Sequence, residues 1–465
     1  MLLNPNIVTT PNSRYQNAFF EVFVMSMVTV WTPSKLLGYL TPFLGIILFI
    51  LRSNSGKTLI RFVFLMLIYA AIVCFYNLFY YLVEEPFIIQ NSILSFLTYG
   101  SFLFFLVLPS EMNFDRTNYT KYLLVIKVVI LTESLLGIFQ IVTYSILNGG
   151  NLDSATGDIV QGTLNPLSFI NPLSNFNNQI YTTNLLLLLL FYTPYAIMQK
   201  KGIWICVIGF VALILASIWH LFIAFLLAFA FVSVYFGLFL KKLNISRVII
   251  VFILILVISL SILTQPKNFS LISHYFEKLT SGQSPKATVA ANSVVDLPKD
   301  FPWVYTIGLG PGQYSSRASL IGTGRYFGDF NNPEEMPLLE PNSSRAFKKY
   351  VYPLWREVAT NVPLYGNSTM ARPFFSVLSI LTEFGYIVFF ILCMYLVVLM
   401  KRVKGAFKRA VIEKNSLKSS YAYSCGILVV FLIIFSFFEN YLEVTQAIFP
   451  GLLIFKFFYT FSKRI

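Results

Sequence analysis

Charge is what this sequence has least of. Asp, Glu, Lys and Arg make up 12% of its 465 residues, about half of the roughly 25% found in soluble domains. That shortage excludes an ordinary water-soluble enzyme and a disordered chain, which stays unfolded by being polar. Histidine is nearly missing, with two residues, and the four cysteines (Cys74, Cys206, Cys393, Cys425) all lie within apolar runs. They read as small core residues, so neither a disulfide framework nor a zinc centre is expected, and no other metal or cofactor is called for. Internal repeats and low-complexity tracts are absent too, and the lack of an inverted repeat speaks against many transporter folds. No cleavable signal peptide is expected: residues 1–16 are polar, and no small-residue cleavage site follows the first apolar run.

What is present is apolar surface. Hydrophobic residues reach 57% and mean hydropathy is +0.71. Only lipid tolerates so much, so the sequence predicts an all-α polytopic membrane protein. Twelve spans are expected, at 17–33, 36–51, 62–83, 87–108, 122–147, 180–198, 203–219, 220–240, 247–264, 376–399, 423–438 and 444–460. A hydrocarbon core of ~30 Å needs roughly 17–25 helical residues, so the shorter spans depend on their polar flanks. The chain divides into residues 1–264 with helices one to nine, a large loop at 265–375, and residues 376–465 with helices ten to twelve.

The net charge of +14 suggests nucleic acid in a soluble protein. Its distribution gives another meaning. With the N-terminus inside, the short inner loops collect the basic residues, among them Arg52, Lys57 and Arg61, Lys200 and Lys201, and Lys401 to Lys418. The short outer loops hold Lys35 against Glu84, Glu85, Asp153, Asp158, Glu439 and Glu443. This asymmetry places both termini in the cytoplasm and the large loop outside. The basic excess is a topology signal, and no nucleic-acid partner is expected.

The outer loop at 265–375 is about 110 residues long and rich in Pro, Gly, Asn and Ser. Loops beyond about 15 residues are usually functional or disordered; Trp303 and Trp355 argue for a folded piece. It carries eleven basic residues against eight acids. Long loops escape the positive-inside bias, so a solvated surface is one reading. The other is an anion site built from Arg317, Arg325, Arg345, Arg356 and Arg372, whose guanidinium forks suit phosphate. Gly308-Leu309-Gly310-Pro311-Gly312-Gln313-Tyr314 is either a structural turn or a backbone turn presenting N–H groups to an anion. It lacks the strand and helix of a dinucleotide site.

Ionisable residues inside apolar spans are functional candidates. Glu133 and Glu383 each need a partner or a proton, and a helix–helix hydrogen bond serves either. Lys127 lies near an inner end and can snorkel. His220, at an outer turn after Ser217-Ile218-Trp219, and His274, at the start of the large loop, are candidate general bases as well as ordinary structural histidines.

The pattern resembles the Wzy-type O-antigen or capsule polymerases, in the superfamily that also holds the O-antigen ligases. Twelve spans with one large outer loop before the tenth is that layout. Gly157 to Thr163 with Asn177-Asn178 resembles the family's outer segment, Ser217 its Ser-Arg element, and Gly308 to Arg317 its loop motif. Arg372, Ser376 and Leu381-Thr382-Glu383-Phe384-Gly385 resemble the approach to the tenth span, and Glu439 to Pro450 the late outer turn. Ile218 stands where many relatives have Arg, with His220 nearby.

The resemblance implies a GT-C-like, metal-independent inverting glycosyltransferase in the bacterial plasma membrane. Donor and acceptor are undecaprenyl-pyrophosphate-linked oligosaccharides, and the bilayer, a chain-length regulator and a flippase are the further partners. Transfer to lipid A core, as in a ligase, and transport, as in a flippase, are the alternatives. Arg372 and Arg317 lead the pyrophosphate candidates, ahead of Arg345, Arg356 and Arg325. His274 is the favoured base over His220 and Glu383, and Glu383 is otherwise expected to support by orienting Arg372. Gly310, Gly312, Tyr314 and Asn178 are expected at the sugar.

Overall fold

The computed structural model describes residues 11–109, 116–149, 159–170, 178–216, 218–237, 277–278, 280–282, 284–325, 340–361 and 372–463. Among them there is no strand. The first half holds α1 (Pro11–Thr29), α2 (Lys35–Ser53), α3 (Gly56–Leu82), α4 (Ile89–Thr98), α5 (Gly100–Val107), α6 (Arg116–Leu147), α7 (Asn178–Gln199), α8 (Ile203–Ala216) and α9 (Trp219–Tyr235). The large loop contributes α10 (Pro285–Val295), α11 (Arg317–Gly322) and α12 (Tyr352–Asn361). The chain closes with α13 (Ser376–Ile412), α14 (Ser416–Phe438) and α15 (Thr445–Lys463).

Local chemistry sets the helix ends. Ser34, Ser55 and Asn415 accept the N–H groups of Leu37, Thr58 and Lys418 at 3.2, 3.3 and 3.0 Å, satisfying first-turn donors that have no partner within the helix. Asn54, Lys200 and Lys414 take positive φ and turn the chain sharply between helices. Pro42, Pro194 and Pro450 sit inside helices, as bundles in lipid allow.

α7 is the axis of the bundle: every residue from Tyr181 to Phe191 is buried. Aromatic stacking fastens it to α15, with Phe191 on Phe458 at 4.8 Å, and fastens α6 to α15, with Tyr122 on Phe457 at 4.0 Å. α3 is the opposite case. It exposes Leu59, Ile60, Phe64, Leu67, Phe75 and Leu78, a run of apolar surface that water does not tolerate and lipid does.

Among the described residues six helices are long and apolar enough to cross a membrane, and a seventh span arises if α4 and α5, bent by 57°, count as one. Twelve spans are expected from the sequence. The first and last of these fall on α1 and α15, which do not reach that standard of apolarity. α8 stops at Ala216 and α9 starts at Trp219, so each has fewer than 18 residues. The ninth expected span, 247–264, lies outside the described residues. The described part of the large loop is folded: Phe301, Tyr314, Phe347, Trp355 and Phe374 form a separate core, each fully buried aromatic stabilising it by about 1.5–3 kcal/mol.

Candidate functional site at two broken helices

Gly385 breaks α13. Its φ of 77° and ψ of 172° suit glycine and not a side chain. In an unbroken helix the carbonyls of Thr382 and Glu383 accept from the N–H groups four residues on. Here Leu309 N–H donates to Thr382 O at 2.8 Å and Gly310 N–H to Glu383 O at 2.9 Å. The loop replaces the helix's own bonds, which is what makes a break inside an apolar bundle tolerable. A Cβ on Gly308 lies 2.5 Å from that Glu383 oxygen, so the first glycine of the motif is fixed by close approach.

The opposite side of the loop is held by α3 and α4. Tyr80 and Ser92 hydroxyls donate to Leu309 O and Pro311 O, both at 2.8 Å, and Tyr76 donates to Ile307 O. The Gln313 side chain pairs twice with Ile88, at 2.9 and 3.2 Å. At Tyr99 the α4–α5 pair bends, and the Tyr99 ring meets Phe384 at 5.8 Å, edge to face. Two interrupted helices thus meet at one loop.

Glu383 is fully buried. Its Oε2 accepts Gly312 N–H at 2.7 Å, and its Oε1 accepts Tyr314 N–H at 2.9 Å and Ser316 N–H at 3.2 Å. The turn therefore does present N–H groups to an anion, but the anion is the protein's own carboxylate. This corrects two expectations. Glu383 pins the loop by its backbone, and Gly310, Gly312 and Tyr314 do not offer their groups to a sugar. Tyr314 is buried in the loop core, with its hydroxyl on Ser293 Oγ at 2.8 Å.

The pinned loop delivers Arg317 at the start of α11. Its N–H donates to Glu443, and its guanidinium lies 5.6 Å from the Tyr441 ring centroid. Glu443 follows α14, in the turn Tyr441–Glu443. One turn earlier, Glu439 is 1% exposed and pairs with Lys286 of α10 at 3.5 Å; Lys286 also donates to Phe438 O. Burial pulls the Lys286 ammonium below the usual lysine range. Glu439 opposes this, and the charges of Arg317 and Arg372 add to it. Lys286 is also within electrostatic reach of His220, whose Nε2 lies 2.9 Å from Gln179 Nε2. Arg317, Arg372, Lys286 and His220 are thus gathered with Glu439 and Glu443 where α10, α13 and the α14–α15 turn converge.

The other candidates lie elsewhere. Arg345 pairs with Glu85 and lies 5.9 Å from the Phe301 ring centroid, with over half of its side chain exposed. Arg356 is exposed on α12. Arg325, partly buried, donates its main-chain N–H to Thr323 Oγ1 at 3.2 Å. Asn178 caps α7 with its Oδ1 on Gln179 N–H at 2.9 Å. His274 and Ser217 lie outside the described residues. Among the described residues no group of three His, Cys, Asp or Glu is gathered as for a metal ion.

Glu133 pins a second loop. Its carboxylate accepts Thr163 N–H at 2.9 Å and the Thr163 hydroxyl at 2.6 Å. Gln140, two turns on, accepts Gln161 and Gly162 N–H groups, both at 2.9 Å.

Lys286, Gln179, Glu439 and Glu443 are members that the sequence did not single out. Lys286 is one of eleven loop cations, and the two glutamates register only as outer-loop charge. The one available signal was position: Glu439 and Glu443 flank a short turn between two apolar runs, one helical turn apart. No family model, curated protein or solved structure matches the chain.

Proposed function

We propose that the protein is a polymerase that joins undecaprenyl-pyrophosphate-linked oligosaccharide units on the outer face of the bacterial plasma membrane. The observation that supports this reading is the cluster in which Lys286 lies within electrostatic reach of Arg317, Arg372 and His220, next to the loop held by the broken α13. An acceptor hydroxyl oxygen attacks the anomeric carbon of the donor with inversion. The bond to the pyrophosphate oxygen breaks, and undecaprenyl pyrophosphate leaves. The three cations stabilise the charge that develops on it. The hydroxyl proton passes to a neutral imidazole that acts as general base. His220 is the imidazole with a place in this cluster; His274 is the other. The twelve-span, GT-C-like arrangement with both termini cytoplasmic belongs to this reading and rests on the Lys/Arg asymmetry and the family resemblance.

Deletion of the gene with gel analysis of surface polysaccharide tests it. A single-repeat product supports a polymerase, and long chains stranded on the undecaprenyl carrier mean a ligase instead. One observation favours a second reading, a transporter: interrupted helices that meet inside a bundle are how many transporters form their sites. Oligosaccharide units held on the inner face of the deletion strain identify that case. Topology is checked separately, by placing single cysteines in a cysteine-free chain. Those in 284–325 react with an impermeant thiol reagent on cells with a permeabilised outer barrier, and those in 401–412 do not; the reverse pattern overturns the orientation.

A further inference from the structure

Toward the end of the bundle away from the two breaks, one buried cation has no carboxylate beside it. Lys456 of α15 is 8% exposed. Its ammonium lies 5.3 Å from the centroid of the Phe105 ring of α5, and that ring lies 6.2 Å from the ring of Phe455. Among the described residues Lys456 has no ion pair, and the charges that reach it are two further cations, Arg61 of α3 and Lys463. The acids described at this end are engaged elsewhere: Glu21 with Arg52 at 2.7 Å, and Glu413 with Lys418 at 3.2 Å. Lys463 ends α15, and Lys456 stands two turns inside it, about 10 Å along the axis at 1.5 Å per residue. A topology signal needs its cations in the loops and none inside a span. One aromatic face does not replace the water that a buried ammonium has lost.

The surface beside these cations is apolar. Phe64 and Ile68 follow Arg61 by three and seven residues on one face of α3, and both are exposed. Cations at helix ends, with an apolar row running from them into the bilayer, match a phosphate that carries acyl chains. A free phosphate makes no use of the apolar row, and a zwitterionic headgroup offsets the charge of its own phosphate. We propose that Lys456, Arg61 and Lys463 bind the headgroup of an anionic phospholipid, whose acyl chains lie along Phe64 and Ile68. The phosphate oxygens accept charge-assisted hydrogen bonds from the ammonium that no described carboxylate accepts, as in other basic pockets between helix ends. In the proposed orientation this lipid belongs to the inner leaflet; its binding rests neither on that orientation nor on the polymerase reading. Little of α3 is buried against the rest of the bundle, so a lipid seated here also fastens α3 to α15.

The test uses the full chain in a neutral detergent, with bound lipid counted by native mass spectrometry. Dioleoyl phosphatidylglycerol is the probe, and dioleoyl phosphatidylcholine is the zwitterionic comparison. Wild type is expected to prefer the anionic lipid and to melt later in its presence. Lys456→Gln is expected to weaken phosphatidylglycerol binding about tenfold and Arg61→Gln about fivefold, the worth of one cation at an anionic headgroup. The control is Lys200→Gln with Lys201→Gln, which removes two exposed cations from another turn at the same end. Its affinity is expected to stay within about twofold of wild type. Arg61 is exposed, so its variant decides the matter where Lys456→Gln does not fold. Equal binding of the two lipids by wild type overturns the proposal. So does a folded Lys456→Gln or Arg61→Gln protein that loses no more affinity than the control. Inorganic phosphate that displaces the lipid at equal concentration overturns the lipid and leaves a site for a free anion.

Discussion

Two loops enter this bundle, and each is pinned by one buried glutamate. Glu133 holds Gly162 and Thr163, and Glu383 holds Gly312, Tyr314 and Ser316. Both devices need glycine at the closest point. Gly162 takes φ +57° and faces the Glu133 carboxylate and the Tyr181 ring, while Gly308 takes φ +80° against the Glu383 carbonyl. They differ in what surrounds them. The partners found at Glu133 are neutral: a threonine, the Tyr181 hydroxyl on its carbonyl at 3.0 Å, and Gln140 two turns away. α6 runs through without a break. At Glu383 the helix is broken, a second carboxylate lies alongside, and Arg317 follows within the same loop. The comparison teaches that a buried carboxylate in a span is not by itself a reactive group. It can be a staple, and it becomes part of a site when the loop it staples carries charge.

The largest effect separates the two staples by stability. Glu383→Ala leaves three buried N–H donors without an acceptor, each costing about 1–3 kcal/mol, and is expected to prevent accumulation of folded protein. Glu133→Ala strands one N–H and one hydroxyl that can rotate toward Trp31 O, already 2.7 Å away. It is expected to lower the midpoint of thermal unfolding while folded protein is still recovered by size-exclusion chromatography. Equal loss in both variants breaks the ranking.

Next comes chemistry. Arg317→Ala and Arg372→Ala are expected to abolish chain elongation, a loss of about 10²–10³ for an electrostatic donor at a developing charge. Arg317→Lys recovers part of it, because one ammonium does not reproduce a fork. Arg345→Ala and Arg356→Ala are expected to fall within about 1 kcal/mol of wild type, since exposed ion pairs contribute little. Full-length polymer from Arg317→Ala at normal expression removes the anion site. His220→Gln is expected to slow turnover by about 10²–10⁴ with lipid-linked substrate still bound; wild-type turnover moves the role to His274.

These rankings show what was legible in the sequence. The helical, apolar architecture follows from composition, and the folding of the described part of the large loop from Trp303 and Trp355. Five arginines in that loop were recognisable as a set, but only burial distinguishes Arg317, 4% exposed, from Arg345 at the surface. The Gly308–Gly312 motif was recognisable as an amide-presenting turn. Its ligand was not, because Glu383 is about 70 residues away in the chain and meets the loop only after α13 breaks at Gly385. Lys286 and Glu439 are a pair made by tertiary packing across 153 residues, and no spacing rule reaches that far.

pH separates the two regions more gently. Burial, and next the Glu383 charge, push the Glu443 carboxyl up to about 8 in the folded chain, from an ordinary value of 4.5. Between those values the folded state carries more protons than the unfolded one, so this group's contribution to stability is complete below 4.5 and is lost as pH rises through 8. Wild type is therefore expected to lose more thermal stability than Glu443→Gln between pH 5 and 9. Parallel curves would show that the group is ionised throughout.

The smallest effect is the sharpest on the comparison itself. Thr163→Val removes the hydroxyl that reaches Glu133 Oε1 at 2.6 Å and leaves the main-chain N–H to Oε2 in place. A hydrogen bond to a charged group contributes about 1.5–3 kcal/mol, so unfolding should begin a few degrees earlier. If Glu133 is only a staple, the variant binds inorganic pyrophosphate as tightly as wild type while melting earlier. Affinity that falls together with stability would mean that the two loops are coupled through the bundle. The 159–170 segment would then belong to the site, and the distinction between a neutral staple and a charged one would collapse.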